Sequence, residues 1–234
     1  VNLFETDKPY LNSELTINDI VKDTFTNKLY ISRAISQFTG RNFCQFVNYH
    51  RVMYSVDCFR KNPELKVMVS VGGWGSGRFS EMAMEGKRRK SFAEDCIRVV
   101  EEFGLDGIDI DWEYPTSSSA GISSSPNDTK NFNLLLADLR AVLGNEKLLT
   151  MASSANAKYV DFKTAMQYLD FVNILTYDMG KPPYHNAGLY TSPMTKRSCN
   201  ESVNLHHQAG VPLEKIVLGI PFYGHGDGVE FTSE

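Results

Sequence analysis

The stretch Asp106-Gly107-Ile108-Asp109-Ile110-Asp111-Trp112-Glu113-Tyr114-Pro115 decides how this chain is read. Side chains alternate faces along a β-strand, so Asp109, Asp111 and Glu113 share one face and Ile108, Ile110 and Trp112 the other. The apolar face is expected to pack against helices, with Trp112 in that core. The acidic face is expected to point into the interior of the sheet, which in a barrel is its lumen. Three carboxylates on one covered face cannot all be charged comfortably, because burial and each neighbour oppose ionisation. At least one proton is then shared among them, which lifts an acid toward neutral pH and suits it to general acid catalysis. The titration belongs to the set, not to one residue. Two other readings stay open at this point: a solvated acidic strand face, and an oxygen-ligand site for Mg²⁺ or Ca²⁺.

Outward from this stretch the punctuation is regular. Lys66–Gly73, Leu148–Ser154, Phe171–Asp178 and Ile216–Tyr223 read as further buried strands beside Gly107–Glu113. Phe92, Cys96, Val99, Val100 and Phe103 recur at helical spacing and stop at Gly104. Phe132, Leu135, Leu136, Leu139, Val142 and Leu143 do the same, started by Asn127/Asp128 and stopped by Gly144; a shorter helix runs from Glu201 to Ala209. Strands alternating with helices imply βα units and a parallel sheet, either open or closed into a barrel. The serine-rich Thr116–Pro126 is a strand-to-helix loop. The first 65 residues are less regular: Val1–Thr6 and Leu29–Phe38 are read as strands, and Ser55–Lys61 as the end of a helix.

The chain has 234 residues, 42% hydrophobic and 22% charged, with a formal net charge of -4. These values fit one domain with a full core, and show no basic footprint for nucleic acid and no apolar run long enough to span a membrane. No GxGxxG follows a strand and no GxxxxGK[ST] is present, so nucleotide-binding open sheets lose weight. Cys44, Cys58, Cys96 and Cys199 form no CxxC pair and are read as thiols without chemistry. Asn127-Asp128-Thr129 and Asn200-Glu201-Ser202 are glycosylation sequons that matter only in a secreted eukaryotic protein.

Asp106 to Glu113 resembles the DxxDxDxE signature of glycoside hydrolase family 18, the chitinases, and Gly104-Leu105 and Tyr114-Pro115 around it are similar to that family too. Other segments resemble the family in order. They are Ser70-Val71-Gly72-Gly73-Trp74 (third barrel strand), Met151-Ala152 (fifth), Tyr177-Asp178 (sixth) and Gly219-Ile220-Pro221-Phe222-Tyr223-Gly224 (seventh). The resemblance covers about residues 60–226. Ile31–Ile35 falls where the second strand belongs but lacks its aromatics, Val1–Thr6 is a weak first strand, and the eighth strand is missing. The implied fold is α/β: a TIM (β/α)8 barrel, incomplete, with about seven strands, forming a single catalytic domain over 1–234 that is truncated at its C-terminus. A gap between the seventh and first strands is expected, and with it a lower activity than the acidic motif suggests.

The resemblance implies a retaining hydrolase acting on β-1,4-linked N-acetylglucosamine polymers (chitin) with help from the substrate's own acetamido group. Glu113 would be the acid and then the base. Asp111 would orient the acetamido group and stabilise its positive charge, Asp109 would share a proton with Asp111, and Tyr177 would bond the acetamido oxygen. Asp178, Trp74, Tyr114, Met151 and Phe222 are the candidate sugar-binding residues, with core packing an equal reading for Phe222. The chemistry needs no metal or other cofactor. The expected partners are chitin or N-acetylglucosamine oligosaccharides, not nucleic acid or membrane, met by a monomeric protein that is secreted or periplasmic. Alternatives of the same fold are an endo-β-N-acetylglucosaminidase on N-glycans and a catalytically silent chitin-oligosaccharide-binding protein. Gly72 and Gly73 are expected to allow close backbone approach. Asp106 is expected to support a turn, His206 and His207 to point apart, and Lys87–Lys90 to form a solvated helix face; His225, after the seventh strand, either borders the cleft or, the simpler reading, sits in a solvated loop.

Overall fold

The computed structural model describes residues 2–62, 64–226 and 230–232. It divides into two compact units, Val1–Val67 and Met68–Glu234.

The first unit is helical. It contains α1 (Asn2–Thr6), α2 (Ile17–Thr24), α3 (Lys28–Thr39) and α4 (Phe43–Phe59), with a 3-10 turn at Pro9–Leu11. Both strands expected here, Val1–Thr6 and Leu29–Phe38, are therefore helices over their described residues. Local signals explain the correction. Asn27 caps α3 by accepting the Tyr30 N–H at 3.0 Å, Gly40 ends it with a left-handed φ of 69°, and Ile31 and Ile35 lie one turn apart. A capping box joins Thr16 to Asp19 at the start of α2, and another joins Asn42 to Gln45 at the start of α4. Phe4, Tyr10, Ile20, Ile31 and Val47 form the buried core of this unit.

The second unit carries a parallel sheet. In chain order it contains β1 (Met68–Gly72), α5 (Phe79–Ala83), α6 (Gly86–Phe103), β2 (Gly107–Asp111), α7 (Asp128–Leu143), β3 (Leu148–Ser154), α8 (Phe162–Ala165), β4 (Phe171–Leu175), α9 (Cys199–Ala209) and β5 (Ile216–Leu218). The strand order is β1-β2-β3-β4-β5, so each βα step adds the next strand on the same side. A doubly wound sheet reverses its order at a switch point; this one does not, and it forms an arc of a (β/α) barrel. The barrel is incomplete: among the described residues the parallel sheet has five strands, with β1 and β5 at its open edges. The shortfall from the expected seven comes from the two N-terminal segments, which are helical.

The last expected strand, Ile216–Tyr223, also divides. After β5 the Gly219 N–H still bonds the Ile174 carbonyl at 2.8 Å, but Pro221 offers no N–H and the ladder stops. Tyr223–His225 (β6) then pairs antiparallel with Glu230–Thr232 (β7).

Apolar faces build the layer between sheet and helices. Ile108 and Ile110 of β2 are fully buried, as are Leu135, Leu136 and Leu139 of α7. Trp112 stacks on Phe79 at 5.4 Å and meets the edge of Phe132 at 5.7 Å, the core role expected of it. Arg89 turns inward to pair with Asp138 at 2.8 Å, so the basic run is solvated only at Lys87, Arg88 and Lys90. The Thr116–Pro126 loop is pinned by the fully buried Asp128, which accepts the N–H groups of Thr116 and Ser125 and the Ser80 hydroxyl.

Candidate active site

The acids stand where the strands end at their C-terminal side. Register places Ser70 of β1 and Thr150 of β3 beside Asp109 of β2. Both donate their hydroxyls to the Asp109 carboxylate at 2.6 Å, and Asn173 of β4 adds an amide N–H at 3.0 Å. Four neighbouring strands are thus tied at one carboxylate, which fixes the acidic face. Ser70 opens the motif quoted for the third barrel strand without a role assigned to it, and sequence reading selects neither Thr150 nor Asn173. Their signal was a polar residue within an otherwise apolar strand, in phase with Asp109.

One residue pair on, Asp111 is half-buried and its Oδ1 has no hydrogen-bond partner. Burial first, then the charges of Glu113 and Asp109, push its carboxyl up to about 7. Its backbone is held as well: the Gly73 N–H donates to the Asp111 carbonyl at 2.8 Å. A Cβ at Gly72 would lie 1.9 Å from that same oxygen, so the close approach expected of this glycine is real and excludes any side chain.

Glu113 follows just beyond β2. Burial raises its pKa, the hydroxyl of Tyr114 opposes this by donating to it, and the charge of Asp178 raises it further. Tyr177 is raised by burial and then by the charges of Asp111, Glu113, Asp178 and Asp109. These causes place Asp109, Asp111, Glu113, Tyr114, Tyr177 and Asp178 in one electrostatic neighbourhood. The Tyr114 ring stacks on Tyr159 at 5.0 Å and meets the exposed Trp74 edge-on at 6.3 Å, extending an aromatic surface from the acids.

Asp178 has a left-handed φ of 55° and is held on three sides. Its N–H donates to Asn186 Oδ1 at 2.7 Å, while Tyr223 Oη and His225 Nε2 each approach its carboxylate at 2.7 Å. His225 therefore belongs to the site, not to a solvated loop. Two other expectations change. Met151 is in register with Ile110, on the face opposite Thr150, and is buried in the layer beneath the sheet; the structure does not bring it to the acids. Phe222 is not core: it stands 81% exposed in the bend before β6. His206 and His207 do part company, His206 being fully buried with its Nε2 2.9 Å from Ser153 Oγ.

The site is thus a half-covered acidic strand end with one carboxyl near neutrality and an aromatic border, at the C-terminal side of the strands where barrel sites are built. The chain matches the family model for glycosyl hydrolases family 18 over residues 12–230, and it belongs to that family. It is 38% identical over 190 residues to Chitinase A1 of Niallia circulans, a match covering 70% of this chain and 27% of that protein. Among solved structures it is similar to the chitinase domain of the spore coat protein CotE from Clostridium difficile. That match has a TM-score of 0.73 and 37% identity, over 77% of this chain and 56% of that one. It is also similar to a family 18 N-acetylglucosaminidase from Paenibacillus barengoltzii, with a TM-score of 0.69 and 41% identity, over 74% and 56% of the two chains. The chain therefore spans little more than half the length of these relatives, or less. No described helix is long and apolar enough to cross a membrane.

Proposed function

We propose that this chain carries the acid/base machinery of a retaining hydrolase acting on β-1,4-linked N-acetylglucosamine polymers. The observation that carries the reading is the Asp109–Asp111–Glu113 face, in which Asp111 has an unpartnered oxygen and a pKa of about 7. At neutral pH Glu113, raised by burial, protonates the glycosidic oxygen and later takes a proton from water. The substrate's acetamido oxygen supplies the nucleophile at the anomeric carbon, so no second nucleophilic carboxylate is needed. Asp111 accepts the acetamido N–H and, as it ionises, stabilises the positive charge of the cyclised intermediate. Asp109, fixed by Ser70, Thr150 and Asn173, modulates Asp111 through its charge. Tyr177 bonds the acetamido oxygen, Asp178 a neighbouring sugar group, and Trp74 and Tyr114 offer ring faces to sugars. An insoluble polymer substrate suits a secreted or periplasmic enzyme.

The test compares the chain with Glu113→Gln on a fluorogenic chitobioside. General acid catalysis is worth about 10²–10⁴ in rate, so the variant is expected to lose at least about a hundredfold. Equal rates would remove Glu113 from its role. Retention on chitin with no turnover would make the chain a binding module, and sugar release from N-glycoproteins alone would make it an endo-β-N-acetylglucosaminidase.

A further inference from the structure

We infer that Asn186 is a positioning residue of the acidic site: it fixes the backbone of Asp178 and so keeps the Asp178 carboxylate in place among the acids, a role that rests on the reading of Glu113 as the proton donor. Asn186 takes two consecutive N–H groups. Its side-chain Oδ1 accepts from Asp178 at 2.7 Å, and its backbone carbonyl accepts from Met179 at 3.0 Å. Only the oxygen of an amide side chain can accept an N–H, so chemistry fixes which way this amide is turned. The backbone bond by itself closes the loop between Met179 and Asn186. The side-chain bond adds a hold on one further residue, and that residue carries the carboxylate.

Asp178 needs such a hold. Its φ of 55° is left-handed, a conformation that costs a residue other than glycine free energy and persists where surrounding bonds over-determine it. Its carboxylate meets Tyr223 Oη at Oδ2 and His225 Nε2 at Oδ1, both on β6 and so outside the parallel sheet. Asn186 ties Asp178 in another direction, toward α9. The Gly188 carbonyl accepts the Cys199 N–H at 2.9 Å and the Leu189 carbonyl accepts the Asn200 N–H at 3.1 Å, which binds the segment after Asn186 to the start of that helix. Before it, the His185 N–H donates to the Met194 carbonyl at 2.8 Å. A Cβ at Gly180 would lie 2.6 Å from the His185 carbonyl, so the two sides of the loop are pressed together. Asn186 is therefore itself a fixed point, half-buried between anchored neighbours.

The consequence is electrostatic. Burial raises Glu113, the Tyr114 hydroxyl lowers it, and the charge of Asp178 raises it again. Glu113 also faces Asp111 and Tyr177, whose protons its own charge helps to hold. Asp178 faces Tyr177, Tyr223 and His225 besides Glu113. Asp111 is set by β2 itself, whereas Asp178 lies beyond the end of β4, in a turn that Asn186 shapes. A neighbouring like charge favours the protonated carboxyl. An Asp178 that swings away therefore lets Glu113 release its proton at lower pH, and the supply of protonated acid shrinks from the alkaline side.

The experiment uses the full chain and follows the Glu113 carboxyl directly, by a carboxyl-carbon NMR titration in which Glu113→Gln identifies the resonance. Asn186→Ala removes the side-chain acceptor, and Asn186→Asp keeps it. In Asn186→Ala the Glu113 midpoint should move to lower pH. In Asn186→Asp it should not fall, because the acceptor remains and the added carboxylate acts in the same sense as Asp178. On the fluorogenic chitobioside, Asn186→Ala should lose about two- to tenfold in kcat/KM, the range one lost hydrogen bond commands. That deficit should grow with pH along the alkaline limb, and Asn186→Asp should recover it. Urea unfolding of each variant separates fold from position: a merely structural role would lower stability and leave the Glu113 midpoint where it was. A midpoint unchanged in Asn186→Ala, or lowered equally in Asn186→Asp, would overturn the inference. The titration needs no turnover, so an inactive parent chain would count against the proposed hydrolase and leave this test in force.

Discussion

Asp111→Asn offers a test of the site's electrostatics that does not rely on substrate. In the folded protein the Asp111 carboxyl is lifted from 3.8 to about 7, first by burial and then by Glu113 and Asp109. The folded state therefore holds a proton that the unfolded chain releases above about pH 4, and stability falls as pH rises through the window from about 4 to 7. The full penalty for ionising such a group is at most about 4 kcal/mol. The group is only half-buried and water reaches the cleft, so about 1–2 kcal/mol is the share expected in a measurement. Asparagine cannot ionise, and Oδ1 has no hydrogen-bond partner to lose. The variant should match the parent below pH 4 and exceed it by about 1–2 kcal/mol at pH 8. Urea unfolding at closely spaced pH values reads this difference, which belongs to the coupled acids as a set. A stability difference independent of pH between 4 and 8 would refute the claim that Asp111 is held protonated by its surroundings. The same variant should lose turnover, because it cannot supply the charge that the cyclised intermediate requires.

Gly72→Ala should destabilise the second unit by at least about 2 kcal/mol in urea and lower activity with it. Its Cβ meets the Asp111 carbonyl, which is backbone and cannot swing aside, and its φ of 131° is strained for any side chain. Arg140→Ala should cost about 3–5 kcal/mol with kcat of the folded fraction unchanged. It strips donors from the carbonyls of Tyr168, Gly144 and Lys147 and unpairs Asp170, all near the end of the sheet where β3 begins, away from Glu113.

Much of the site was legible because strand alternation is a strict geometrical rule. Once Gly107–Asp111 is a buried strand, Asp109 and Asp111 must share a face and Trp112 must leave it, and the structure has them so. The same rule carried to the next strand identifies Thr150 and excludes Met151, provided the register with Asp109 is known; family resemblance alone did not supply that register. Tyr223 and His225 were harder. They reach Asp178 from a short antiparallel pair outside the parallel sheet, and no spacing within the chain announces a contact made across 45 and 47 residues. In the N-terminal unit the difficulty was competition between signals. The β-branched and aromatic content of Leu29–Phe38 suits a strand, and the resemblance asked for one there. Asn27, Gly40 and the one-turn spacing of Ile31 and Ile35 define a helix, and the local capping chemistry prevailed.

The net charge shows how an average can hide function. Acids in the second unit cluster where their mutual repulsion is useful, because a sugar-cleaving site needs a carboxyl that keeps its proton at neutral pH. The first unit holds nine Lys and Arg against seven Asp and Glu. Its acids serve local structure: Asp19 closes the capping box with Thr16 at the start of α2, and Asp57 of α4 pairs with Arg60 one turn on.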